Sequence, residues 1–362
     1  MKILILANSD LGLYKFRKEL IEKLLSLDNE VYISLPYGNL VDPLISLGCH
    51  FINTPVDRRG INPITDMKLF FTYRNIISKV NPDIIISYTI KPNIYGGYAS
   101  RIAHKEYVVN ITGLGTAFEN VGLLRTLVVS LYKIALKSVK VVFFENSYNR
   151  DLMIRLKCCK KDKTIVLNGA GVNTDYYSYQ PYPNNNIFKF LFVGRVMKEK
   201  GIDELLKATK SLVSDGISCF LDIVGPCEED YLDVLMKYEK EGWMKYHGYQ
   251  EDVKPFIYSC DCFVLPSYHE GMANTNLECS SSGRPIITTN IPGCKEAVVD
   301  GESGYLCEPE SFESLYEAMK KIVLTNSVER TNMGIRARKL MIDNFEKRII
   351  VDETLRHIFA ER

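Results

Sequence analysis

The chain has 362 residues, 46% of them hydrophobic and 25% charged, a globular composition that excludes collagen-like, coiled-coil and disordered chains, and its length suits two domains, each with its own core. Lysine and arginine number 45 against 44 acids, a formal charge of +1, so phosphate neutralisation does not hold the whole molecule to nucleic acid. Residues 1–180 carry 23 basic and 15 acidic side chains whereas 181–362 carry 22 and 29, and the two halves are expected to meet different partners.

From the amino end, one lysine precedes the apolar run 3–7, which is too short for a signal-peptide core and passes straight into a polar loop, so it predicts a first strand. Short β-branched runs follow at 31–35, 83–87, 107–111 and 139–144, separated by amphipathic stretches of helical length. That alternation predicts a parallel sheet with crossover helices. No run reaches the ~20 apolar residues that span a bilayer; the best candidate, 123–136, is broken by Arg125 and Lys133. On a helix predicted over 123–140, Arg125, Lys133, Lys137 and Lys140 return near one azimuth, with Leu124, Leu127, Leu131 and Ile134 expected opposite them. A core-packed helix with a solvated stripe and a membrane-facing helix both fit; the basic excess of this half favours the second, since each cation near an anionic leaflet contributes on the order of 1 kcal/mol.

The stretch 179–186 (YQPYPNNN), with two prolines and three asparagines, reads as a linker between domains over 1–178 and 187–345. The βα pattern restarts at 188–193, 220–224, 244–247, 262–265 and 285–288, which predicts a second array and a cleft between the two. Residues 346–362 read as an added helix, either returning to the first domain or standing as an ordinary terminal helix. Ten cysteines, neighbours at Cys158 and Cys159 and a Cys260, Cys262 pair among them, lack zinc-site spacing and read as buried reduced thiols, which fits the cytosol.

Ligands of open α/β sheets bind beyond the carboxyl ends of the strands, and three such loops stand out. The first holds Gly194, Arg195, Lys200 and Gly201: glycine permits close approach, and the cations can clamp the two phosphates of a nucleotide diphosphate, although a solvated turn has the same composition. The second follows 262–265 and holds His269, Glu270, Gly271, Met272, Ala273 and Asn274 before a helix carrying Glu278. Asn274 is the candidate cap of that helix, whose first amides offer an anion site. Glu270 and Glu278, the latter two turns into the helix, lie roughly 80° apart if the helix runs throughout, so both carboxylates can accept pairs of hydroxyls from a sugar and a ribose. The third is 110–118 (NITGLGTAF), a ligand loop or a tight turn.

Taken together, Glu270, Gly271 and Glu278 with the trailing Gly283, Pro285, Gly293, Glu296, Gly301 and Gly304 resemble the paired-glutamate block of the retaining glycosyltransferases of family 4. The loop from Gly194 to Gly201 and the segment 168–176 (NGAGVNTDY) match as well, so the resemblance covers nearly the whole chain. It implies an α/β chain of GT-B fold, two Rossmann-like doubly wound domains facing across a cleft, the first for the acceptor and the second for a nucleotide sugar. By resemblance, Arg195 and Lys200 neutralise the donor diphosphate, Glu278 holds the ribose, Glu270 contacts the transferred sugar, and the amides of Gly271, Met272, Ala273 and Asn274 approach sugar and phosphates. Gly12 is then expected to face the diphosphate from the first domain. No DxD triplet occurs, so no tightly bound metal is expected. Many family members carry a donor-contacting histidine where this chain reads Asn110, Ile111, Thr112, Gly113, so sugar positioning must differ.

Phe16 and Arg17, Lys91 to Asn93, and Gly113 to Gly115 resemble a branch that builds bacterial surface glycans on diphospho-undecaprenol, including N-acetylgalactosaminyl transfer. The implied activity moves an N-acetylhexosamine or hexose from a UDP-sugar to a lipid-diphosphate-linked saccharide in capsule, O-antigen or glycoprotein glycan synthesis. The implied partners are the donor, the lipid-linked acceptor and the anionic inner face of the plasma membrane. Uridine comes from the resemblance alone. A sugar-nucleotide 2-epimerase of the same fold and a non-catalytic sugar-nucleotide-binding subunit are the alternatives.

Overall fold

The computed structural model describes residues 1–57, 60, 62–115, 118 and 122–360. Contacts divide the chain into two units: one comprises Met1–Ala170 together with the residues from Arg348 onward, the other Gly171–Lys347.

The first unit is built on a seven-stranded parallel sheet in the order β3-β2-β1-β4-β5-β6-β7, formed by Lys2–Leu6, Glu30–Leu35, His50–Asn53, Ile84–Tyr88, Glu106–Ile111, Val141–Phe144 and Thr164–Val166 for β1 to β7. Its central strands β1, β4 and β5 are buried along nearly their whole length and mostly apolar, as coverage of both faces requires; Ile5 of β1 aligns with Ile33 on one side and Ile86 on the other. The short strands β3 and β7, absent from the expected set, lie at the two edges, where half-buried positions leave no apolar run to read.

Helices α1 (Asp10–Ser26), α2 (Val41–Ser46) and the terminal α13 (Lys347–Phe359) cover one face. Helices α3 (Pro63–Val80), α4 (Gly97–Ile102), α5 (Leu123–Ala135) and α6 (Ser147–Arg155) cover the other. The cap signals are local: Ser9 accepts from the Gly12 amide at α1, and Asn62 caps α3 with Pro63 behind it. The last helix returns to this unit, burying Ile350, Val351, Leu355 and Ile358 with Ile3 and Ile5.

Helix α5 corrects the expected orientation. Val128, Val129, Tyr132 and Ala135 face the core, while Leu123, Leu124, Leu127 and Ile134 are exposed, Leu123 to 91% and Leu127 to 51%. The helix ends at Ala135, so Lys137 and Lys140 lie beyond it, and Lys140 pairs with Glu106 at 3.0 Å.

The second unit has a six-stranded parallel sheet, β10-β9-β8-β11-β12-β13. Strands β8 to β13 are Phe188–Val193, Cys219–Val224, Met244–Tyr246, Cys262–Leu265, Ile286–Thr289 and Gly304–Cys307, with α7 (Ile202–Ser214), α8 (Leu232–Lys240), α9 (Lys254–Ser259), α10 (Asn274–Ser281), α11 (Phe312–Leu324) and α12 (Ser327–Asn344) around it.

The proline- and asparagine-rich stretch 179–186 lies inside this unit, eight or more residues past the division at Ala170 and Gly171. Side chains strap it down: the Tyr182 hydroxyl donates to the Asp261 carbonyl at 2.9 Å, and Asn185 Nδ2 donates to the Asp261 carboxylate at 2.8 Å. Arg284, fully buried, completes the strap by donating to the carbonyls of Gln180, Pro181, Ile257, Tyr258 and Gly283 at 2.9 to 3.3 Å.

All ten cysteines are free thiols. Burial pushes Cys49 and Cys219 up to about 11, so they stay protonated near neutrality and behave as small apolar side chains.

Candidate active site

At the carboxyl edge of the second sheet, the loops after β8 and β11 are laced together. Gly201, at φ +69°, starts α7, and a Cβ there would come within 2.1 Å of the Pro266 carbonyl oxygen. Only glycine permits both the left-handed backbone and that approach. The Tyr268 amide then donates to the Glu199 carbonyl at 2.9 Å and Ser267 Oγ to the same oxygen at 3.3 Å. This lacing carries Lys200 onto Glu270, and the two form an ion pair with each side chain only 14% exposed. Two of the expected site residues, seventy positions apart, therefore meet.

Behind Glu270 stands Gly293 at φ +89°, where a Cβ would lie 2.8 Å from the Glu270 carbonyl and 2.6 Å from that of Gly271. The Ala273 amide donates to the Gly293 carbonyl at 2.7 Å, fixing the turn that enters α10. The expected cap is displaced by one residue: Ala273 holds the cap position without a side-chain hydrogen bond, and Asn274 is the first helical residue. Met272 and Ala273 are buried. The helix begins after Glu270, so the two glutamates do not share one helical rotation; Glu278 lies just over one turn into α10.

Tyr177 was not visible as a functional residue in the sequence. Its hydroxyl hydrogen-bonds Glu278; burial, then the Glu278 charge, pushes its phenol far above the ordinary value, so it remains a neutral donor to the carboxylate. Its main-chain carbonyl accepts from Ser281 Oγ at 2.7 Å and Arg338 Nη1 at 3.1 Å, which fixes the ring's position relative to α10. Tyr177→Phe removes one hydrogen bond to Glu278, worth about 1 kcal/mol, and in the reading proposed below, where Glu278 holds the donor, it is expected to raise the donor KM about fivefold with kcat nearly unchanged. Steady-state kinetics of the pure variant check it.

Arg195 is placed differently. Its Nη1 pairs with Glu228 in the loop after β9 at 2.9 Å, and its side chain is 45% exposed. The Gly194 amide donates to the Val224 carbonyl at 3.0 Å, tying the start of that loop to β9. In the first unit the Gly12 amide donates to Ser9 Oγ at 3.3 Å. Asn110 donates to the Ser87 carbonyl at 3.2 Å and accepts from Asn93 on its own carbonyl at 2.8 Å. The rest of that loop reaches Thr116 and Ala117, which lie outside the described residues. At the same edge Arg17 pairs with Glu145 and Lys91 with Asp66, each at 2.7 Å.

In the second unit this places a shielded lysine and glutamate beside an uncapped helix start. Such a set can receive an anion and hydroxyl groups together.

Residues 180–340 match the family model described as glycosyl transferases group 1, and residues 2–146 match that described as glycosyl transferase 4-like. The chain is 26% identical, over 98% of both chains, to N,N'-diacetylbacillosaminyl-diphospho-undecaprenol alpha-1,3-N-acetylgalactosaminyltransferase of Campylobacter jejuni. It is also 26% identical to the capsular polysaccharide biosynthesis glycosyltransferase CapM of Staphylococcus aureus, over 82% of this chain and 81% of that one. Among solved structures, Anabaena Alr3699/HepE in complex with UDP and glucose superposes with a TM-score of 0.81 at 16% identity over the full length of both chains.

Proposed function

We propose that this chain, which belongs to the group 1 glycosyltransferases and has the two Rossmann-like units of the GT-B fold, moves an N-acetylhexosamine or hexose from a UDP-sugar to a lipid-diphosphate-linked saccharide with retention of configuration. The observation that carries the reading is the shielded Lys200–Glu270 pair at the open amino end of α10. The full-length likeness to an enzyme named for a diphospho-undecaprenol acceptor supports the acceptor class. Capsule, lipopolysaccharide or glycoprotein glycan synthesis at the inner face of the plasma membrane is the corresponding setting.

In this reading the donor diphosphate lies against Lys200 and Arg195, and the amides from Gly271 to Asn274 approach phosphate and sugar. Glu278, oriented by Tyr177, accepts the ribose hydroxyls; Glu270 accepts from the transferred sugar while holding Lys200 in position. The bond between the anomeric carbon and the phosphate oxygen breaks, its electron pair staying on the phosphate. The acceptor hydroxyl forms the new bond on the same face of the sugar and gives its proton to the departing phosphate. Lys200 and Arg195 grip the leaving group harder as its charge grows, which lowers the barrier. These cations stand where other transferases use a metal, so the rate is expected to survive EDTA.

A thermal-shift panel of nucleotide sugars, followed by transfer to a short-chain lipid-diphosphate saccharide, tests the proposal. UDP-sugars should raise Tm and the product should keep the donor's anomeric configuration by NMR. An inverted product would sink the retaining mechanism, and an epimerised sugar nucleotide formed without acceptor would point to an epimerase instead.

A further inference from the structure

Lys200 and Arg195 are each held by a carboxylate. Lys254, the first residue of α9, is held differently: its Nζ lies 3.8 Å above the centre of the Tyr176 ring. An aromatic face attracts an ammonium without accepting its N–H groups as a carboxylate does, so the donors stay available to a ligand. The carboxylate of Asp252, two residues earlier, is engaged by the Lys254 amide, which donates to it at 3.0 Å. Burial opposes the ammonium's charge, but Tyr176 and Asp252 outweigh it, and Lys254 is held above its ordinary value and charged at neutrality.

Tyr176 leads back to the candidate site. Its amide donates to Asn173 Oδ1 at 2.9 Å, and its ring stands nearly at a right angle to that of Tyr177, the centres 5.0 Å apart. Tyr177 in turn carries the hydrogen bond to Glu278. The two tyrosines therefore bridge α9 and α10, with Lys254 at one end and Glu278 at the other. Tyr176 is 53% exposed and Lys254 half-buried, so a ligand has access to this bridge.

Position decides what the ammonium meets. In the proposed reading the diphosphate lies at the amino end of α10 and the ribose at Glu278, about one turn further along. A nucleotide's base hangs from the ribose on the side away from the diphosphate, which directs it toward the tyrosine bridge and Lys254. Uracil and cytosine share the carbonyl at position 2 and differ at position 4, where uracil accepts a hydrogen bond and cytosine donates one. An ammonium only donates.

We infer that Lys254 selects the donor base: its ammonium donates to the 4-carbonyl of uracil and opposes the 4-amino group of cytosine, donor against donor. Tyr176 is the positioning residue that holds it there. The inference rests on Glu278 as the ribose carboxylate and adds the class of base, which the diphosphate clamp leaves open.

Calorimetric titration of the full chain with UDP and with CDP tests it. UDP should bind about tenfold or more tighter, the worth of a hydrogen bond from a charged donor. Lys254→Met should weaken UDP by about the same factor and leave CDP nearly unchanged, so that the ratio collapses. Tyr176→Leu should lower the ratio about threefold, whereas Tyr176→Phe, which keeps the ring, should preserve it. Should Lys254→Met melt early, the two Tyr176 variants supply the same readout. Glu278→Gln should weaken both nucleotides alike and keep the ratio, which judges the ribose reading apart from the base. Equal affinity for UDP and CDP in the parent, a ratio unchanged in Lys254→Met, or equal weakening of both nucleotides by that variant, the mark of a phosphate contact, would overturn the inference and leave the ribose reading standing. Binding of neither nucleotide would sink both.

Discussion

Lys200→Ala is expected to lower kcat by about 30- to 900-fold, the equivalent of about 2 to 4 kcal/mol of transition-state stabilisation. The physical reason is shielding. Lys200 and Glu270 are each 14% exposed, so a charge developing beside Lys200 is screened by water far less than one beside Arg195, whose side chain is 45% exposed and paired with Glu228. Electrostatic interactions strengthen as the local dielectric falls, and Arg195→Ala should therefore cost less than Lys200→Ala. A double-mutant cycle with Glu270→Gln separates the two roles of the lysine: Glu270→Gln alone should slow turnover more than it weakens nucleotide binding, and the two changes together should fall short of their sum because the pair is coupled. Single-turnover kinetics with saturating donor measure the loss directly. An unchanged kcat in Lys200→Ala would remove the diphosphate-clamp assignment.

Arg284→Met is expected to destabilise the second unit by about 3 to 5 kcal/mol, the sum of several hydrogen bonds from one buried charged donor, each worth about 1 kcal/mol. Five main-chain carbonyls lose their donor at once, among them Ile257 and Tyr258 in the last turn of α9 and Gln180 and Pro181 of the strap. Lysine cannot substitute, because one ammonium has three donors and no planar fork. The protein supplies its own probe: its single tryptophan, Trp243, lies buried in the second unit's core, so its emission during urea unfolding reports that unit apart from the first. The Trp243 transition should move to lower urea while the far-ultraviolet signal of the first unit keeps its midpoint. Coincident midpoints in parent and variant would count against Arg284 as the fastener of the strap.

The course of the chain is legible wherever apolar runs are long enough to be buried on both faces, as in β1, β4, β8 and β11. The sequence is silent where elements are short and lie at a sheet edge, as with β3, β7 and β13: the residues of β3 and β7 are half-buried or exposed, and the four of β13, although three are buried, are too few to show a period. Helical period alone could not choose between the two apolar sides of α5. The valines, being nearer the sheet, took the core and left the leucines outside. The strap at 179–186 carries every local mark of a linker; what binds it is Arg284, a hundred residues away, which a reader of local composition takes for a surface cation. In the candidate site, Lys200 and Glu270 were visible as residue types at strand ends, but their pairing depends on Gly201 and Gly293 admitting two backbones closer than any side chain allows. Tyr177 gave no signal because its role comes from α10 packing over it.

The return of α13 to the first unit has a consequence for biosynthesis. Ile350, Val351, Leu355 and Ile358 fill the same apolar cluster as Ile3, Ile5 and Leu13, so the amino-terminal sheet stays uncovered on part of one face until residues 347–359 have left the ribosome. The second unit, continuous from Gly171 to Lys347, can finish folding first, and the half of the protein that is made earliest is sealed last.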